Sequence, residues 1–232
     1  MDLIGFYNLL LDNRGVIKVL YGLLIVAICL IIVSKTHKLF HLSLHQGIRY
    51  LRNAFLFFGI AFFIRYLIAA YGFFYPTSAN FYLLTKSLFE FFIIMGGFFL
   101  LYSLLWKKFE SEKNPKYSSL FNFNILAFYL MALLIVIGDY LFDTYSLMFF
   151  SQILLFIFIS IISSINYRRG EGRHKFLKFY FIAMMLSLAA WILNAVSALL
   201  LNWDIGIMIN IYIINMIIFL LFLYGVIKAI KK

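Results

Sequence analysis

Residues 81–106 read FYLLTKSLFEFFIIMGGFFLLYSLLW. About 20 predominantly apolar residues, wound as a helix, cross the hydrocarbon of a bilayer. This run is longer than that and holds only two charged side chains, Lys86 and Glu90. Six further stretches share its character. The expected spans run about 16–34, 49–73, 81–106, 119–142, 145–167, 176–201 and 205–229. Both prolines, Pro76 and Pro115, fall between spans, so no span is obliged to kink at proline. The expected fold is an all-α integral membrane bundle of seven transmembrane helices. Residues 1–232 would form this one domain, with no soluble domain, because the loops are short.

Composition points the same way. Hydrophobic residues make up 65% of the 232 and charged residues 12%. A water-soluble fold of this size would leave too much apolar surface facing solvent. The single cysteine, Cys29, excludes an internal disulfide and a multi-thiolate metal site. The N-terminal residues lack the basic segment and short apolar core of a cleaved signal, so the first helix reads as a retained span.

The net charge of +11 is distributed by side. Lys35, Lys38, Arg49 and Arg52 lie between spans 1 and 2. Lys107, Lys108, Lys113 and Lys116 lie between spans 3 and 4. Arg168, Arg169, Arg173, Lys175 and Lys178 lie between spans 5 and 6, and Lys228, Lys231 and Lys232 close the chain. The alternate connections, Pro76–Asn80, Asp139–Asp143 and Asn202–Asp204, are neutral or acidic. The positive-inside rule then places the N-terminus outside and the C-terminus in the cytoplasm of a cell-membrane protein. The charge is read as this asymmetry, and nucleic acid is not an expected partner. Trp106, Trp203, Tyr75, Tyr82, Tyr140 and Tyr145 fall near the interfaces, where aromatic residues anchor a bundle.

Ionisable residues inside a span are costly and normally face protein or water. Arg65 in span 2 and Glu90 in span 3 lie at similar depth, about 12–14 Å from the outer ends. Lys86 precedes Glu90 by one helical turn. Ala54, Ala61, Arg65, Ala69 and Gly72 share a stripe on span 2, and Lys86, Glu90 and Gly97 share one on span 3. Small residues permit close helix approach, so Arg65, Lys86 and Glu90 are expected to meet between helices 2 and 3. Gln152, Asn194 and Asn210 add polar groups at comparable depth, with Trp191 and Asn215 somewhat deeper. Arg65, Lys86, Glu90, Gln152, Trp191, Asn194 and Asn210 are therefore the candidate ligand-binding residues. Asp139, near the outer end of span 4, is a further polar group at that level.

His37, His41 and His45 repeat every four residues, but without a carboxylate or cysteine beside them they read as an interfacial amphipathic linker helix rather than a metal site. His174 reads as loop. No H-E-x-x-H, G-x-S-x-G or P-loop pattern occurs. Asp139 and Asp143 lie at a span edge, unlike the paired carboxylates of an intramembrane protease. Seven spans are similar in topology to the retinal rhodopsins and seven-helix receptors. Retinal needs a lysine within the last helix, however, and span 7 has only Lys228, at its end. The sugar-carrying SWEET proteins have the same count and orientation, but their Pro-Gln motifs are missing here. No histidine lies within a span to hold haem. No cofactor, metal or catalytic residue is expected.

The expected function is non-enzymatic and receptor-like: a small polar or anionic ligand bound from outside in an outer-half pocket. Arg65 would hold the anion, with Glu90 as resting counter-ion. Besides the lipid bilayer, a cytoplasmic or membrane partner protein would carry any signal. The alternatives are a small-solute transporter and a structural or assembly subunit of a membrane complex. The transporter would need an inner path, for which Ser160, Ser163, Ser164, Asn122 and Asn124 are the available polar groups.

Overall fold

The computed structural model describes residues 14–43, 45–74, 78–109, 123–169, 175–201 and 205–230. Pro76, Pro115, Lys113, Lys116, Asn122, Arg173, His174 and 202–204 lie outside these residues. Among the described residues are seven helices and no strands: α1 Arg14–Ser43, α2 Gln46–Phe74, α3 Ala79–Phe109, α4 Phe123–Phe142, α5 Ser146–Arg169, α6 Lys175–Leu199 and α7 Ile205–Ile230. All seven are long and apolar enough to cross a membrane, which fits a multi-pass membrane protein in contact with lipid. Helices satisfy every backbone polar group internally, as hydrocarbon demands.

Each helix covers most of one stretch expected from the sequence, and α1 extends well beyond its stretch. That helix continues nine residues past the expected end at 34, through His37 and His41. No glycine or proline occurs in the added stretch 35–43, and Thr36 Oγ1 donates to Ile32 O at 2.6 Å, keeping this polar side chain satisfied. The separate linker helix is therefore absent. His45 lies between α1 and α2, with its ring 5.1 Å from that of Trp106, while His37 packs on His41 and approaches Arg52 Nη1 at 2.8 Å. No group of three metal-ligating side chains occurs among the described residues.

Helix packing closes a ring. α1 packs on α2, α2 on α3, α3 on α5, α5 on α6, α6 on α7, and α7 returns to α1. α4 stands outside the ring, against α3 and α5. Its outward residues Leu126, Leu130, Leu134 and Leu141 are exposed, as suits a surface in lipid.

Two glycines of α3 set the ring's spacing. A Cβ on Gly96 would lie 2.6 Å from the Phe58 ring of α2. One on Gly97 would lie 2.9 Å from Gln152 Oε1 of α5. Successive residues point about 100° apart on a helix, so this pair admits one neighbour on each side. Gly22 does the same for α1, where a Cβ would meet Tyr66 of α2 at 2.3 Å.

The α4–α5 connection is a tight, fully bonded turn. Thr144 N donates to Asp139 O and Asp143 N to Tyr140 O, the pair of bonds that closes a Schellman motif. Asp143 is the left-handed residue, with φ 46°. The buried Asp139 carboxylate accepts from Leu147 N at 3.0 Å, Met148 N at 2.7 Å and Thr144 Oγ1 at 3.0 Å. One side chain at the end of α4 thus caps the start of α5, favoured by the positive end of that helix dipole.

Candidate functional site

The six-helix ring encloses a cavity of about 440 Å³, within the size range of small-molecule sites. Every ring helix lines it, and α4 contributes nothing among the lining residues. Call the end of the bundle where α1 meets α2, and where α7 finishes, the basic end. The cavity begins at the other end, beside Ile17, Lys18, Tyr82, Tyr145 and Ile209, and runs inward past mid-depth to Phe55, Leu100, Phe156 and Phe222. From Arg65 to Phe55 on α2 is ten residues, about 15 Å of helix.

Its polar groups gather in the upper part. Arg65 of α2 lines the cavity, with its guanidinium carbon 4.7 Å from the centre of the Phe89 ring and 6.0 Å from that of Tyr66. Such placement over ring faces holds the cation and its orientation. The hydroxyls of Tyr66, Tyr212, Tyr145 and Tyr21 lie within its electrostatic reach. Tyr21 and Tyr212 stack at 4.4 Å, and Tyr66 meets Tyr21 edge-on at 5.5 Å. Because Gly22 has no side chain, α1 can seat against Tyr66 and complete this aromatic wall. The Tyr21 hydroxyl is buried near Asn215 yet makes no hydrogen bond of good geometry within the protein. Tyr145, just before α5, shares a 3.5 Å hydroxyl contact with Tyr82. Burial, and secondarily Tyr82, raise its phenol above the ordinary value, so it is a neutral donor near pH 7.

Among the described residues, Lys18 and Arg65 are the charged ones that line the cavity, and both are cationic. Sixteen of the twenty Lys and Arg residues belong to the basic connections and tail. The other four are Arg14, Lys18, Arg65 and Lys86. Two of those line the cavity, and Lys86 sits 4.4 Å over the ring of a third lining residue, Tyr145.

Below Arg65 the walls are mostly apolar, with Phe58, Phe62, Ile93, Phe219 and Ile218 beside the hydroxyl of Ser187. The lower end closes on aromatic rings. Phe55 and Phe222 meet at 5.0 Å, Phe222 and Tyr180 at 5.9 Å, and the fully buried Tyr50 and Tyr102 at 4.5 Å edge-on.

The candidate residues divide into two groups. Arg65, Trp191 and Asn194 line the cavity. Asn194 donates to Ala190 O at 2.7 Å, and Trp191 packs near Phe149 and Phe156. Lys86, Glu90 and Gln152 do not line it. The expected meeting of Arg65, Lys86 and Glu90 between helices 2 and 3 is corrected by the rotation of α3. Phe89, Ile93, Gly96 and Leu100 form the stripe facing α2 and the cavity, whereas Lys86, Glu90 and Gly97 form the adjacent stripe, which meets α5 at Gln152. Lys86 Nζ pairs with Asp143 Oδ1 at 3.1 Å. Glu90 is buried, with Asp139 and Lys86 as the charges that act on it and with Oε1 unbonded within the protein. Gln152 is fully buried, and neither end of its amide is bonded. Asn210 is exposed near the start of α7 and lies off the cavity. Of the transporter's inner-path residues, Ser160 and Ser163 are buried, and Ser160 donates to Ser160's neighbour helix at Met184 O, 3.4 Å away. The side chain of Asn124 lies outside the described residues.

Sequence reasoning passed over Tyr21, Tyr66, Tyr212 and Lys18. A signal existed, since Tyr21 and Tyr66 sit well inside spans rather than in the interfacial belt. The chain matches no family model, no curated protein and no solved structure at a significant level.

Proposed function

We propose that this chain is a non-enzymatic, receptor-like protein of the cell membrane that binds a small anionic ligand within the helical ring. The observation that carries this reading is the cavity's charge. Arg65 and Lys18 line a space surrounded by six helices, and they are its charged lining groups among the described residues. A cation inside a span is costly to insert, and a guanidinium with neighbouring hydroxyls is well suited to an oxyanion. With the basic connections in the cytoplasm, the cavity opens outward. Its aromatic lower end supports a binding cavity rather than a path through the membrane.

The test is ligand-dependent stability. Cys29 is the single cysteine and is 1% exposed, so a thiol-reactive dye reports unfolding. Unfolding temperature is measured in lipid nanodiscs against a graded panel of anions, from acetate and inorganic phosphate to dodecanoate. The expected result is a saturable rise with at least one anion, as binding to the folded state requires. Arg65→Gln should abolish the rise. If no anion stabilises the protein, or Arg65→Gln responds like the parent, the reading is wrong.

A further inference from the structure

We infer that the ligand is a single-chain anionic amphiphile, bound with its headgroup at Arg65 and its apolar body extended toward Phe222. This rests on the anion-binding reading and adds the ligand's shape. The charged groups that line the cavity, among the described residues, lie toward one end. Arg65, Lys18 and the hydroxyls of Tyr21 and Tyr212 gather in that upper part, and among the described residues no charged one lines the space beneath. A small hydrated anion would use the upper part and leave the lower part empty. That lower part is lined by Phe58, Ile93, Phe219 and Phe222, surfaces that gain nothing from a polar solute and favour burial of an apolar chain. The depth of about 15 Å below Arg65 suits an extended body rather than a compact one. A carboxylate amphiphile and a single-chain phospholipid present the same chemistry to this site.

Three series decide it, each read as the concentration of half-maximal stabilisation in nanodiscs. First, carboxylates of increasing chain length from acetate to dodecanoate should gain affinity progressively, by at least tenfold over the series. Second, dodecanoate and lysophosphatidate should both outcompete dodecanol and dodecyltrimethylammonium; preference between the first two identifies the source. Third, Ser187→Leu places apolar volume in the lower part, where Ser187 Oγ now donates to Ala183 O. It should shift the preferred chain to a shorter one and leave the acetate response unchanged. Arg65→Gln should weaken dodecanoate at least tenfold and dodecanol less than threefold. Affinity that is flat with chain length, or highest for acetate or phosphate, overturns the amphiphile while preserving the anion site. Equal binding of dodecanoate, dodecanol and the ammonium compound overturns both readings. A Ser187→Leu protein that binds long chains as the parent does overturns the assigned position of the chain.

Discussion

Lys86 Nζ lies 3.1 Å from Asp143 Oδ1, with the lysine side chain 5% exposed and the aspartate 83%. The pair ties α3 to the α4–α5 turn, and Asp143 serves both as counter-ion and as the left-handed residue of that turn. Exposed ion pairs contribute little, about 0–1 kcal/mol, whereas a left-handed backbone penalises a β-carbon without a local hydrogen-bonding group by about 1–2 kcal/mol. Asp143→Asn should therefore cost under about 1 kcal/mol. Asp143→Ala should cost more, and Asp143→Gly should fall near Asp143→Asn because glycine relieves the strain. Thermal unfolding of the three variants checks the order; equal losses for all three would show that charge alone matters.

Asp139 carries a larger effect. Its buried carboxylate holds two backbone amides of α5 and the Thr144 hydroxyl. Asp139→Ala leaves those donors without a partner away from water and should destabilise by about 2–4 kcal/mol. Asp139→Asn keeps one acceptor oxygen and should recover part of that. Unfolding temperature and proteolysis at the α4–α5 connection are the measurements.

Gln152 is expected to behave in the opposite sense. Its amide is buried between α3 and α5 with both ends unbonded within the protein. Replacing it with Met keeps the volume and removes the desolvated groups, so Gln152→Met should be neutral or stabilising, by up to about 2 kcal/mol. It should also leave dodecanoate binding unaltered. A marked loss of binding would return Gln152 to the site.

Gly22 and Gly138 give a controlled contrast. At Gly22 an added methyl meets the Cβ and Cγ of Tyr66 at 2.4 and 2.3 Å, atoms fixed close to the α2 backbone. At Gly138 it meets the end of the Leu147 side chain at 2.5 Å, which can turn aside. Gly22→Ala should cost about 1–3 kcal/mol and weaken anion binding by displacing the Tyr66 wall. Gly138→Ala should cost less than half as much and leave binding intact.

Orientation is tested by thiol access in a Cys29→Ala background. Ser78→Cys, at the start of α3, should react with a membrane-impermeant reagent added outside intact cells. His45→Cys, at the basic end, should react only after permeabilisation. The reverse pattern would place the basic loops outside.

The seven apolar helices were legible from hydropathy because lipid imposes one simple demand, an apolar helix of sufficient length, on every segment alike. The stripe of Lys86, Glu90 and Gly97 was legible too, since helical spacing is a local property. Its partner was not. Residues 89 and 90 point about 100° apart, and only packing decides which faces α2 and which faces α5. That rotation places Phe89 beneath Arg65 and turns Glu90 off the cavity, toward Lys86 and Asp139. The closure of six helices into a ring, the exclusion of α4, and the gathering of Tyr21, Tyr66 and Tyr212 around one guanidinium likewise arise between segments distant in sequence. By itself the sequence determined which segments are apolar helices and which residues share a face. The tertiary structure decided which faces meet, because side-chain volume, and the glycines that yield to it, fix how each helix is turned against its neighbours.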